Sequence, residues 1–283
     1  MSGIVVNNVT KNFGDTCALD GVSLTFEPER IYGLLGRNGA GKSTLLNIIT
    51  NRIFADSGQV TIDGMPAREN DEALRKVYLM SEKNYYPESM RIREVFQWTG
   101  EFYPEFDMEY ALLLAEKFGL NVKKKARELS TGYASIFKVI VALSVNTPYV
   151  LLDEPVLGLD ANHRDLFYRV LIEKYSEHPS TIVISTHLIE EVSAVIDGII
   201  IIKNGRILKD QSREELLSQG YTVSGSTAAV DRYIQGRNVL GSSVLGGLKS
   251  VYIMERCDRT SVPDGLEISP LDLQSLFIQL TNS

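Results

Sequence analysis

The chain has 283 residues, 44% hydrophobic and 23% charged, with 29 Lys and Arg against 36 Asp and Glu for a net charge of −7. Such a composition can build one large or two modest packed domains, and it excludes a largely disordered or collagen-like chain. The acidic balance also argues against a non-specific grip on nucleic acid or anionic lipid, which relies on clustered Lys and Arg.

Two cysteines, Cys17 and Cys257, are too few for a disulfide framework and lack metal-ligand spacing, so a reducing compartment is expected. The opening MSGIVVNN has neither the basic nor the long apolar region of a secretory leader. No apolar run approaches the ~18 residues that suggest a membrane-spanning helix. A soluble, cytoplasmic protein is the expectation.

Short β-branched runs alternate with helical patterns up to about residue 210. Val5–Thr10, Val22–Glu27 and Ile31–Leu35 read as strands, and Lys42–Thr50 as a helix behind a Gly-rich turn. Val60–Asp63, Lys76–Met80, Val150–Asp153, Ile182–Ser185 and Ile199–Ile202 follow as further strands. The last four are short and strongly apolar, as in parallel strands covered on both faces. Ala161–Tyr175 and Leu188–Val195 read as helices between them, which gives an α/β layer architecture. Residues 86–147 differ: Arg91–Trp98, Met108–Phe118 and Ser130–Val145 look helical with no clear strand among them, suggesting a helical insertion. The expected organisation is a main domain over 1–219 and a small α+β appendage over 220–283, with Gly/Ser-rich loops and a final amphipathic LDLQSLFIQL.

The strongest chemical signal is Gly36-Arg37-Asn38-Gly39-Ala40-Gly41-Lys42-Ser43-Thr44, a G-x-x-x-x-G-K-[ST] loop between a strand and a helix. Its glycines let backbone N–H groups close around phosphate oxygens, and the helix N-terminus adds a favourable dipole. Lys42 would reach the β- and γ-phosphates, and Ser43 would offer its hydroxyl to Mg²⁺. A second motif, Tyr149-Val150-Leu151-Leu152-Asp153-Glu154, delivers two carboxylates at the C-terminal end of a buried strand, where α/β proteins bind ligands. Asp153 would hold Mg²⁺ through its coordination shell, and Glu154 would polarise the attacking water.

With Leu129-Ser130-Thr131-Gly132-Tyr133 between these motifs, the set resembles the nucleotide-binding subunit of an ATP-binding-cassette (ABC) transporter. LSTGY stands where that family has LSGGQ, VLGLD with Asp160 matches its D-loop, and His187 after TIVIST matches its switch histidine. Phe13 matches its adenine-stacking aromatic. The resemblance covers residues 3–219 and implies a P-loop NTPase cassette with a helical signature subdomain. It also implies that ATP and Mg²⁺ are sandwiched between two cassettes, with Ser130, Thr131 and Gly132 touching the γ-phosphate held by the opposite one. Glu154 and His187 are then the catalytic pair, and Phe13, Gly36, Asn38, Gly39, Ala40, Gly41, Lys42, Ser43 and Thr44 the ATP-binding residues.

Thr131 and Tyr133 depart from the signature, which implies retuned rather than lost activity. The Q-loop in VYLMSEKNYYPESM has Glu82 or Ser81 where a metal-linking Gln is usual; Glu82 is favoured, with Ser43 and Asp153 as the other Mg²⁺ residues. By resemblance, the partners are separate transmembrane subunits and a second cassette, identical or not, with no nucleic acid. The place is the cytoplasmic face of the cell membrane, and the cargo an exported drug or amphipathic or antimicrobial peptide. The alternatives are a soluble non-transporter ABC ATPase and a mainly regulatory cassette paired with a catalytic one. His163 and His178 lack any motif context and are expected to face solvent. Of the aromatics Tyr85, Tyr86, Phe96, Trp98, Phe102 and Tyr103, some are expected in the core of the helical insertion and some in a groove for the membrane partner.

Overall fold

The computed structural model describes residues 2–255, 263 and 265–282, with the side chain of Asn282 left aside; Cys257 lies outside them. Three sheets organise these residues. In the first, β1 (Ile4–Phe13), β2 (Thr16–Phe26), β4 (Ser57–Ile62) and β5 (Met65–Pro66) run antiparallel in the order β2-β1-β4-β5. The second contains β3 (Ile31–Leu35), β6 (Val77–Met80), β7 (Tyr149–Asp153), β8 (Thr181–Thr186), β9 (Gly198–Lys203) and β10 (Arg206–Ser212), ordered β10-β9-β3-β8-β7-β6. All its pairs are parallel except β9–β10.

Parallel strands need crossovers, and those crossovers cover both sheet faces. The side-chain period of two then divides each strand between two cores. Ile31 and Leu35, Val150 and Leu152, and Ile199 and Ile201 belong to one apolar cluster, whereas Tyr32 and Leu34, Tyr149 and Leu151, and Ile200 and Ile202 belong to the other. The second cluster contains α1 (Lys42–Ile49), the antiparallel sheet and the short α2 (Asp71–Leu74).

The first cluster collects α3 (Ile92–Phe102), α4 (Met108–Lys117), α5 (Thr131–Ser144), α6 (Ala161–Glu177) and α7 (Ile189–Val192). Helices α3 to α5 lie between β6 and β7 in the chain. Phe96 is buried there against Phe137 and Phe106, and Tyr86 contacts Phe137 and Trp98. Tyr85 and Phe102 remain well exposed, so the aromatic group divides physically between core and surface.

After β10 comes α8 (Arg213–Ser218), then a third sheet in the order β12-β13-β11-β14. Its strands are β11 (Tyr221–Ser226), β12 (Val239–Leu245), β13 (Leu248–Ile253) and β14 (Leu266–Pro270), with α9 (Thr227–Tyr233) between β11 and β12. Tyr221, Val223, Val230, Tyr233, Val251 and Ile253 form its own small core. The last helix, α10 (Leu273–Asn282), instead packs on α7, and its Leu276 and Phe277 belong to the large cluster under the main sheet. Leu276→Ala should therefore cost about 2–5 kcal/mol. A clear drop in the urea midpoint of the main unfolding transition is expected; a midpoint equal to the native one would mean that α10 contributes nothing to that core.

Candidate functional site

Strands β3, β8 and β7 are neighbours, and their paired ends set the site: Leu35 faces Thr186, and Asp153 faces Ser185. The chain leaving each C-terminal end carries one group of polar residues, so Gly36–Thr44, Asp153–Glu154 and His187 are brought to one edge. A cleft of about 440 Å³ there is lined by Ala18, Asn38 to Thr44, Glu82, Glu154, Leu157 and His187.

The loop into α1 is held by local geometry. Gly41 has φ +109°, and a Cβ on it would come within 2.6 Å of the Ala18 carbonyl oxygen, so both its conformation and its contact exclude a side chain. The ammonium of Lys42 folds back and donates to the Gly36 carbonyl at 2.7 Å. Burial pushes the Lys42 ammonium below its usual range, opposed by the charges of Glu154 and Asp153. A cation held this way beside a Gly-rich loop and a helix N-terminus is suited to phosphate oxygens.

Glu154 occupies a left-handed backbone conformation (φ +49°), unusual for a side-chain-bearing residue, and its N–H donates to the Ser185 carbonyl at 2.8 Å. That turn delivers its carboxylate into the cleft. One oxygen lies 3.0 Å from His187 Nδ1 and 3.6 Å from Lys42 Nζ, and the other accepts from the Thr186 hydroxyl at 3.2 Å. Asp153 is buried and accepts from the Ser185 hydroxyl at 2.8 Å. A carboxylate beside an imidazole and an ammonium can orient a water and accept its proton.

Among the described residues, no three His, Cys, Asp or Glu side chains gather to hold a metal. The Ser43 hydroxyl and the Asp153 carboxylate are hard oxygen donors of the kind Mg²⁺ takes alongside phosphate oxygens and waters, so the residues present fit that ion. Glu82 lines the cleft, while the Ser81 hydroxyl donates to the Lys83 carbonyl and accepts from Arg52.

Other sequence candidates stand apart. Phe13 is 49% exposed at the end of β1, beneath the Lys11 ammonium, and does not line the cleft. Ser130 caps α5 by accepting from the Tyr133 N–H, Asp160 caps α6 by accepting from the His163 N–H, and neither lines the cleft. Thr131 and Gly132 do not line it either. Gly132 sits where a Cβ would meet the Gly158 carbonyl oxygen at 2.9 Å, so the start of α5 lies directly on the backbone before Asp160.

One expectation needs correcting. His163 is half-buried rather than solvent-facing. Its ring stacks on Phe118, meets the edge of Tyr133, and hydrogen-bonds Asp160 at 2.8 Å. The stabilised carboxylate of Asp160 is held below the usual range, first by the His163 N–H and then by the ring. Sequence reasoning also passed over Thr186, Arg52 and Lys138. Lys138 carried a visible signal, since a charge inside the apolar run ASIFKVIVALS must find partners when that helix is buried.

Residues 19–157 match the family model described as ABC transporter. The ABC transporter ATP-binding protein YtrB of Bacillus subtilis is 30% identical over 213 residues, which is 75% of this chain and 73% of the relative. The chain belongs to the ABC transporter family. The petrobactin import ATP-binding protein YclP of Bacillus subtilis is also 30% identical, over 76% of the chain and 88% of its own length. The ATP-binding cassette MJ0796, solved as a dimer in a post-hydrolysis state bound to ADP and Pi, has a TM-score of 0.66 at 25% identity. That match covers 74% of this chain and 98% of the other. The cassette has the ABC ATPase fold and is an ATP-binding, ATP-hydrolysing transporter subunit.

Lys42→Ala should weaken binding of MgATP by about tenfold or more, since it removes a charge-assisted contact to phosphate. Calorimetric titration checks this, and native affinity in the variant would displace Lys42 from the phosphate cradle.

Proposed function

We propose that the cassette hydrolyses ATP in a head-to-tail dimer and drives export through separate membrane-spanning subunits. The observation that carries the dimer reading is the split within one chain. Lys42, Glu154 and His187 meet in the cleft, whereas Ser130, Thr131, Gly132 and Asp160 do not line it. A second cassette would bring its signature loop to the open side of the bound triphosphate, where the Ser130 hydroxyl and the α5 N-terminus favour negative charge. The cassette MJ0796 dimerises, which supports the same arrangement here.

In this reading the amides of Gly39 to Thr44 and the Lys42 ammonium bind the phosphates. Ser43, Asp153 and Glu82 would hold Mg²⁺, which when bound would supply positive charge against the phosphates. Glu154 takes the proton of the attacking water. His187, in contact with the Glu154 carboxylate, keeps that group aimed and faces the γ-phosphate. Phe13, at the end of the hairpin that also contributes Ala18, is the stacking surface for adenine.

No helix among the described residues is long and apolar enough to cross a membrane; in this reading, separate subunits supply the transport path. In this reading the exposed Tyr85, Trp98 and Phe102 receive them, at the cytoplasmic face of the membrane. Export of a drug or amphipathic peptide is supported by the likeness of LSTGY, Glu82 and the short C-terminal appendage to exporter cassettes; YclP, named for import, marks the competing direction.

Glu154→Gln should lower ATP turnover about 10²–10⁴-fold while ATP still binds, and should trap the closed dimer. Tagged Glu154→Gln protein, captured with ATP from detergent-solubilised native membranes, should bring down a polytopic membrane protein that mass spectrometry identifies. Recovery of ribosomal or purely soluble partners instead would sink the transporter assignment. Substrate efflux from, or uptake into, vesicles carrying that complex then gives the direction.

A further inference from the structure

Strand β6 is the outer strand of the main sheet, so the segment leaving it at Ser81 has a strand neighbour on one side alone. Two cations reach this segment, the exposed Arg52 and the half-buried Lys138. From the end of α1, Arg52 donates to the Leu79 carbonyl at 3.1 Å and to the Ser81 hydroxyl at 3.3 Å, with its guanidinium over the Tyr85 ring. From the middle of α5, the Lys138 ammonium donates to the Ser81 carbonyl at 3.1 Å and to the Glu82 carbonyl at 2.7 Å.

The surroundings of Lys138 are unusual for a lysine. It lines a cavity of about 200 Å³ with Glu82, Glu154, Thr131 and Phe137. Glu82 lines both this cavity and the cleft beside Gly39 to Thr44, so it stands on the wall between them. Glu82 and Glu154 line both spaces, and the buried Asp153 adds its charge toward Lys42 and Lys138. Burial disfavours the Lys138 ammonium, and the charges of Glu82 and Asp153 favour it. A charge drawn partly out of water is favoured where hydrogen bonds and opposite charge hold it, and here both are present.

We propose that Lys138 is a positioning residue, tying the Ser81–Glu82 backbone to helix α5 so that Glu82 stays on the wall of the nucleotide cleft. The tie is a charge-assisted contact to two adjacent carbonyls, stronger than a neutral pair would give. It explains why a charge sits on an otherwise apolar stretch of α5. The use made of Glu82 rests on the function proposed above, whereas the tie itself does not.

Hydrogen exchange on the nucleotide-free full chain tests the tie directly, because it reports opening of one segment. In Lys138→Met, exchange across residues 81–86 should rise about tenfold, while that across β7 stays native. In Lys138→Arg, which keeps a charged donor, exchange across 81–86 should stay within about twofold of native. If Met at this position prevents folding, Lys138→Gln serves the same comparison, its neutral amide giving the looser segment. Native exchange across 81–86 without the ammonium, an equal rise across β7, or a rise in Lys138→Arg matching that in Lys138→Met would overturn the proposal. Because no nucleotide or membrane partner is present, a failure here is separate from a failure of the Glu154→Gln capture.

Discussion

Parallel pairing of β3, β8 and β7 fixes where the loop Gly36–Thr44, Asp153–Glu154 and His187 stand at the cleft. A one-residue slip in either pairing would turn each strand's core residues to the opposite face. The two apolar clusters, which divide the same strands by alternation, forbid that slip. The register thus comes from buried Ile, Leu and Val, and the chemistry inherits it. Loop Gly36–Thr44, Asp153–Glu154 and His187 then stand side by side as consequences of one register.

Within that frame, charge balance decides the fine geometry. Lys42 is buried and needs partners; it takes the Gly36 carbonyl and the nearby Glu154 carboxylate. Glu154 in turn meets His187 and Thr186, so one carboxylate gathers an ammonium, an imidazole and a hydroxyl. A triphosphate brings stronger negative charge to the same cation and would compete with Glu154 for it.

Much of this was legible in the chain because the signals are local. Short, strongly apolar runs marked the parallel strands at 76–80, 150–153, 182–185 and 199–202, and the Gly-Lys-Ser run marked the turn into α1. Half-exposed antiparallel elements were harder. β10 reads as RILKDQS, with mixed faces and one neighbour, and its strand character comes from pairing with β9. The hairpin of β1 and β2 carries several register shifts, which break the alternation that a strand reading relies on. Contacts between helices were invisible for another reason. His163 is covered by Phe118 and Tyr133 from separate helices, and Lys138 meets carbonyls that are distant in sequence; neither meeting leaves a periodic trace.

The placement of α10 bears on how the molecule is made. Leu276 and Phe277 close the apolar core beneath α7, the short helix that begins two residues after His187. Synthesis proceeds from the N-terminus, so the strands and phosphate loop emerge long before the residues that seal this part of the core. Until those residues leave the ribosome, the apolar faces of Ile189 and Val192 lack part of their cover. A nascent cassette thus passes through a stage with its Gly36–Thr44 loop already made and sticky surface showing beside His187, the kind of intermediate that chaperones bind.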